Sequence, residues 1–148
     1  MLKGTPMNIV YTDIAKAFDS VSHKKLVYVL RSYGINTHIC SWISNFLSNR
    51  SQSVCIGTVT SFPLPVISGV PQGSVVGPLL FLIYFNDITC SVDAVPGTRN
   101  IKLFADDAKL YDTDPSYLQL SLDKFVQWLN SRQLNIASHK YINFRFQK

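Results

Sequence analysis

Cysteine is scarce: Cys40, Cys55 and Cys90 are odd in number, scattered along 148 residues, and lack metal-ligand spacing. That excludes a disulfide framework or a zinc cluster and reads as small buried hydrophobes in a reducing compartment. The three histidines are equally dispersed and form no ligand motif. Long apolar runs are also missing. The longest, residues 75–85, is interrupted by Gly77, Pro78 and Tyr84 and falls well short of the roughly 20 residues that span a bilayer. It reads as a fully buried helix, and no membrane partner is expected. Residues 1–8 carry no apolar core of a signal peptide, and the triplet Asn49-Arg50-Ser51 has no secretory context to make it a glycosylation site. Acids are few, nine against fourteen basic residues, and the resulting charge of +5 favours an anionic partner such as nucleic acid without demanding one. There is no internal repeat, low-complexity tract or linker. What the chain does have is 47% hydrophobic residues, enough for one domain with a real core and too many for disorder.

Taken in order, residues 7–14 mix β-branched and aromatic side chains and read as a strand with Asp13 near its C-terminal end. Ser22 is a candidate N-cap for a helix to about Ser32, with Leu26, Leu30 and Tyr33 on one face and Gly34 as its stop. Thr37 is the N-cap expected of a second helix, with Ile39, Ile43, Phe46 and Leu47 inward, Trp42 beside them and Arg50 at its last turn. Residues 52–57 and 64–68 then read as paired short strands. A segment with three glycines and two prolines, residues 68–79, feeds the buried helix, which ends near Asn86 and Asp87. Glycines at a helix start allow close approach of backbone to a ligand, although neither common phosphate-loop pattern is matched. Residues 89–99 form an irregular connector with a Pro96-Gly97 turn. Residues 100–105 and 108–111 are the arms of a hairpin. Asp114-Pro115 is an N-cap with proline at the first helical position, and Leu118, Leu122, Phe125 and Leu129 follow at helical period to an end near Leu134 or Asn135. Residues 141–146 alternate as a last strand. The expected class is α+β, with helices on one face of an antiparallel sheet and the other face open to a long ligand.

The hairpin carries the chemistry. Asp106 and Asp107 stand side by side between apolar runs, and adjacent carboxylates repel unless a cation or a proton compensates them. A solvated Asp-Asp turn accounts for the pair taken alone. A third acid changes the balance: if the strand ending at Asp13 lies beside the hairpin, Asp13 and Asp106 reach one edge of the sheet. Such a cluster can hold two hard divalent ions about 3.5 to 4 Å apart, the arrangement used for phosphoryl displacement by polymerases and nucleases. A calcium loop built from Asp106, Asp112 and Asp114 fails, because the central glycine and the closing glutamate are missing.

Three ordered stretches, Tyr11-Thr12-Asp13-Ile14-Ala15-Lys16-Ala17-Phe18-Asp19-Ser20-Val21-Ser22-His23, Ser68-Gly69-Val70-Pro71-Gln72-Gly73-Ser74 with its continuation to Phe81, and Phe104-Ala105-Asp106-Asp107, together resemble the palm motifs of reverse transcriptases. The flavour is that of non-LTR (LINE-type, jockey-like) retrotransposons of animals. Residues 41–50 and 84–88 also look like that family, so the likeness covers nearly the whole chain. It implies a polymerase palm fold and an RNA-directed DNA polymerase that adds deoxynucleoside triphosphates to a DNA primer 3′ end on an RNA template, with two Mg²⁺ ions or Mn²⁺. It makes Asp13 and Asp106 the principal metal ligands and Asp107 the peripheral third. It makes Phe18 a steric gate against a 2′-hydroxyl, while as a residue Phe18 also reads as a core aromatic. Ile14, Ala15, Pro71, Gln72 and Gly73 would line the substrate pocket. Lys140 would protonate the pyrophosphate leaving group, and it reads equally as a solvated lysine. Lys16 and Lys109 are surface charges near template or primer phosphates.

The departures are Thr12 for an apolar residue before the first aspartate, Ala108 for a threonine after the acidic pair, and Tyr141 where a cysteine often follows the lysine. None removes a proposed ligand. Against the family pattern the chain is one palm, residues 1–148, with most of the fingers absent upstream and the thumb absent downstream, regions normally supplied in cis. The competing readings are an inactive mobile-element remnant with weak nucleic-acid binding and a viral RNA-copying polymerase. The latter is disfavoured because it usually places glycine before the paired acids.

Overall fold

The computed structural model describes residues 7–93, 101–137 and 142–146. Lys140, Tyr141, Asn100 and the Pro96-Gly97 turn lie outside them. The chain divides into two compact units, one of residues 1–17 with 85–148 and one of residues 18–84.

The first unit is built on a four-stranded antiparallel sheet of β1 (Met7–Thr12), β6 (Ile101–Phe104), β7 (Asp107–Asp112) and β8 (Ile142–Phe146), in the order β6-β7-β1-β8. The first strand of the chain is therefore central, flanked by the acidic hairpin and by the last strand. Burial alternates along β1 and β7: Asn8, Val10 and Thr12 are buried, as are Ala108, Leu110 and Asp112, while the residues between them are partly open. One face thus packs into the core and the other stays accessible, as the period-2 pattern requires. The core face is met by α5 (Pro115–Arg132), whose Leu118, Phe125 and Leu129 are buried. Asp114 caps it, accepting from Ser116 N at 2.8 Å, and Gln133 ends it in the left-handed conformation. Ser121 and Trp128 join the buried stripe, whereas Leu122 is only half-buried. Residues 89–93, expected as part of an irregular connector, belong instead to a short helix, α4 (Ile88–Asp93), with Ile88 and Val92 in the core. Arg132 stacks on Trp128 and pairs with Asp87.

In the second unit α1 (His23–Ser32) and α2 (Thr37–Leu47) form the expected helical pair. Their buried faces differ from expectation. Tyr33 is exposed and Val29 replaces it in the core. Ile39 and Trp42 are about half exposed, with Cys40 taking the inward place beside Ile43 and Leu47. Asn36, not Thr37, is the N-cap, accepting from His38 N at 2.8 Å, and α2 ends before Arg50 reaches it. Ser22 occupies the cap position of α1 without a side-chain hydrogen bond. The paired short strands are two nested ladders: β2 (Ser51–Gln52) with β5 (Leu64–Pro65), and inside them β3 (Cys55–Ile56) with β4 (Val59–Thr60). The helix α3 (Val76–Phe85) buries Leu80, Phe81, Tyr84 and Phe85, but Leu79 and Leu82 are about half exposed and Val75 just before it is 95% exposed. The apolar run was expected to be buried on all sides. Apolar composition without amphipathic period does not say which side is covered, and one face of this helix is open.

Candidate active site

Asp13 follows the last residue of β1. Thr12 pairs with Ala108, so Asp13 lies one step past that pair, level with the turn that carries Asp106 and Asp107. Its backbone is held from the other side: Asp13 O accepts from Ala137 N at 2.8 Å, Ala15 N donates to Asn135 O at 2.8 Å, and Ile14 bridges Ile136. The segment just after α5 thus clamps the segment just after β1. Ile14 is buried and Ala15 half-buried, so both shape this corner through backbone and packing. Asp13 itself is only 8% exposed.

The hairpin reverses at Ala105 and Asp106 between the paired residues Phe104 and Asp107. Ala105 has φ +53°, a region that residues with a Cβ rarely adopt, so the turn that aims Asp106 is locally strained. The Asp106 carboxyl is half-buried and hydrogen-bonds with Asp13. Its pKa is raised, chiefly by burial and then by the charges of Asp13 and Asp107 and the bond to Asp13, with a backbone N–H opposing. Asp107 is exposed at the start of β7. Two carboxyls far apart in sequence therefore stand close enough for the charge of Asp13 to act on Asp106. Among the described residues no three His, Cys, Asp or Glu side chains already converge on one metal position. The donor set fits a divalent ion that takes two or three carboxylates and completes its shell with phosphate and water.

The glycine-rich segment belongs to the second unit. Gly69 N donates to Val21 O and Val70 N to Phe18 O, both at 2.8 Å. Ser68 Oγ donates to Asp19 O at 2.8 Å, and His23 Nε2 donates to Gly69 O at 2.8 Å. Gly69, at φ +88°, runs so close that a Cβ there would stand 2.8 Å from Asp19 Cα. Pro71 O accepts from Ser74 Oγ at 2.7 Å, and the same hydroxyl accepts from Gly77 N at 2.9 Å, closing the first turn of α3. Gln72 and Gly73 are exposed, and Gln72 Nε2 donates to Asp19 Oδ1 at 3.1 Å. Phe18 is half-buried and stacks on Phe81, with ring centroids 4.4 Å apart and planes 22° apart. Sequence reasoning gave no role to Asp19 or His23, although both stand in the quoted motif. The signal was their side-chain chemistry, acceptor and ring donor, but their partners lie about fifty positions away in the chain. Lys109 pairs across the sheet with Tyr11 and places its Nζ 4.5 Å from that ring's centre. Lys16 is exposed.

Comparison with known proteins agrees with this architecture. The family model for reverse transcriptase (RNA-dependent DNA polymerase) matches residues 3–145. The chain is 29% identical over 147 residues to a Retrovirus-related Pol polyprotein from type-1 retrotransposable element R2 of Popillia japonica, covering 94% of this chain and 24% of that protein. It is 29% identical over 145 residues to the RNA-directed DNA polymerase from mobile element jockey of Drosophila melanogaster, covering 92% of this chain and 16% of the relative. The chain thus spans a quarter or less of these relatives. Among solved structures, telomerase from Candida tropicalis in complex with a fragment of telomeric RNA superposes with a TM-score of 0.80 at 10% identity, covering 97% of this chain and 26% of that one, a likeness of fold. With an α+β polymerase-palm fold, acids meeting at the strand ends, and a family match over nearly its whole length, the chain belongs to the reverse transcriptase (RNA-dependent DNA polymerase) family, among relatives from non-LTR retrotransposons.

Proposed function

We propose that this chain is the palm of an RNA-directed DNA polymerase and that Asp13, Asp106 and Asp107 hold its divalent ions. The observation that carries the reading is the hydrogen-bonded contact between Asp13 and Asp106, contributed by the ends of neighbouring strands. Members of the family use divalent metals, and rigid strand ends give such ligands the fixed spacing that phosphoryl transfer needs. Bound Mg²⁺ supplies positive charge that lowers the pKa of the attacking primer hydroxyl and offsets charge on the leaving phosphates. Asp13 and Asp106 are the principal ligands and Asp107 the outer one. Phe18 is the gate against a ribose 2′-hydroxyl, and its stack on Phe81 makes the ring a stiff one. Pro71, Gln72 and Gly73, with Ile14 and Ala15, contact the deoxynucleoside triphosphate and template largely through backbone, which reads no sequence. Lys140 donates a proton to the departing pyrophosphate. The partners are an RNA template and a DNA primer, and fingers and thumb are supplied by the longer polypeptides in which such palms occur.

The test is primer extension on an RNA template with Mg²⁺, using this chain, the chain within its adjoining reading frame, and Asp106→Asn in each. Extension by the wild type with deoxynucleotides, lost in Asp106→Asn, is the expected result. Extension that survives Asp106→Asn removes the metal assignment. No extension in either length leaves an inactive remnant as the better description.

A further inference from the structure

We propose that Asp19 is a positioning residue: its carboxylate holds the side-chain amide of Gln72 so that the amide carbonyl is the atom presented to a bound nucleotide. This rests on the reading above that Gln72 contacts the substrate. A glutamine amide can face a ligand with its two donors or with its acceptor, and rotation by half a turn exchanges them. At Gln72 the choice is made by its neighbour. An ionised carboxylate only accepts, so the Nε2 group must be the end turned to Asp19 Oδ1, at 3.1 Å. Oε1 then has no hydrogen bond among the described residues and faces away from Asp19. It is an acceptor site suited to a ribose hydroxyl or a base amino group, and it disfavours a phosphate oxygen.

Both side chains are exposed, and a hydrogen bond between two freely moving exposed groups fixes little. Asp19 is not free to move at its backbone. Its carbonyl accepts from Ser68 Oγ, and the carbonyls of Phe18 just before it and Val21 two residues after it accept from Val70 N and Gly69 N. Gly69 presses against its Cα with no room for a side chain, and His23 ties the Gly69 carbonyl from the next turn. These contacts bind residues 18–23 and 68–70 as one piece. The carboxylate therefore starts from a Cα packed on Gly69, three positions before the glutamine whose amide it holds, and the entropy lost in forming the bond is correspondingly small. The polymerase chemistry assigned to Asp13 and Asp106 makes no use of Asp19.

The test has two arms. In the ¹⁵N-labelled chain, the Gln72 side-chain NH₂ pair is identified by its disappearance in Gln72→Ala, then followed in Asp19→Asn, where residue 19 offers donor and acceptor alike. The pair is expected to shift and broaden, while backbone amides of residues 18–23 and 68–70 keep their positions and report an intact fold. In the second arm Mg²⁺-dATP is titrated into wild type, Asp19→Ala, Gln72→Ala and the double variant. Asp19→Ala should weaken binding about three- to tenfold, the worth of the one neutral hydrogen bond that the misoriented Gln72 carbonyl no longer makes to the nucleotide, and should cause no further loss once Gln72 is alanine. A Gln72 NH₂ pair indifferent to Asp19→Asn overturns the proposal, as does an equal loss from Asp19→Ala in both backgrounds. A wild-type chain that takes up no dATP while its Gln72 pair responds to Asp19 overturns the nucleotide reading of the site and supports the Asp19–Gln72 link.

Discussion

At Asp106, burial and two neighbouring carboxylates act in the same direction, and the group keeps its proton to a higher pH than an unfolded aspartate does. The folded chain therefore binds more protons than the unfolded one in the window just above the ordinary aspartate pKa of about 3.9. Stability from this group is present in full below that window and is lost as pH rises through it. Without divalent ions, Asp106→Asn should flatten the corresponding fall in urea-unfolding free energy between pH 4 and pH 7. Mg²⁺ reverses the sign of the problem, because it favours the charged acids. At a hundredfold excess over its dissociation constant it should stabilise wild type by about 2.7 kcal/mol and Asp106→Asn much less, in the same unfolding assay. A second residue has no freedom to change. Gly69→Ala combines a φ of +88° with a Cβ driven against the Asp19 backbone, and should cost about 2 kcal/mol or more. Thermal unfolding checks it, with Gly57→Ala as a comparison, since that glycine has positive φ but open space around it. The acids themselves could be read from sequence. That Asp106 would be hydrogen-bonded to Asp13, and that Gly69 would press on Asp19, depended on neighbours that no local pattern names.

Among the elements, β1 and β7 explain two departures from the family pattern at once. Thr12 and Ala108 are direct cross-strand partners, both buried, with Thr12 Oγ1 donating to Ala108 O at 3.4 Å. Seen singly in the sequence, a threonine in an apolar place and an alanine in a threonine's place look like two defects. Side by side they are one buried pair, with the hydroxyl on β1 and the small side chain on β7. Ala108→Thr alone should overpack the pair and cost about 1–3 kcal/mol, whereas Thr12→Val, removing a long hydrogen bond, should cost under about 1 kcal/mol. Because the two side chains are in contact, their effects should not add, and a double-mutant cycle in denaturant should return a coupling of about 0.5 kcal/mol or more. The helices illustrate a different limit. Asp114-Pro115 fixed the start of α5 because capping is a matter of two or three adjacent residues. The inward faces of α2 and α3 were misjudged at Ile39, Trp42, Leu79 and Leu82, because an apolar side chain is buried only if some other element arrives to cover it.

For the molecule as a whole, the controlling feature is that the first strand ends up in the middle of a sheet whose neighbours come from the far end of the chain. β1 bonds to β7 on one side and β8 on the other. Removing residues 138–148 should turn β1 into an edge strand, lower the thermal midpoint, and speed hydrogen exchange of the amides of Met7–Thr12 that bond to β8, with those facing β7 less affected. Unchanged exchange along β1 would contradict the strand order. The amino-acid sequence by itself determined the α+β class, the three motif segments, the acidic hairpin and the Asp114 cap of α5, because each is encoded by side chains within a few positions of one another. The tertiary structure alone decided that β1 lies between β7 and β8, that Ala137 and Asn135 clamp the segment holding Asp13, and that Asp19 meets Gln72. These are pairings across tens of residues, and a chain's sequence specifies them only through the packing and hydrogen bonds that form when its distant parts come together.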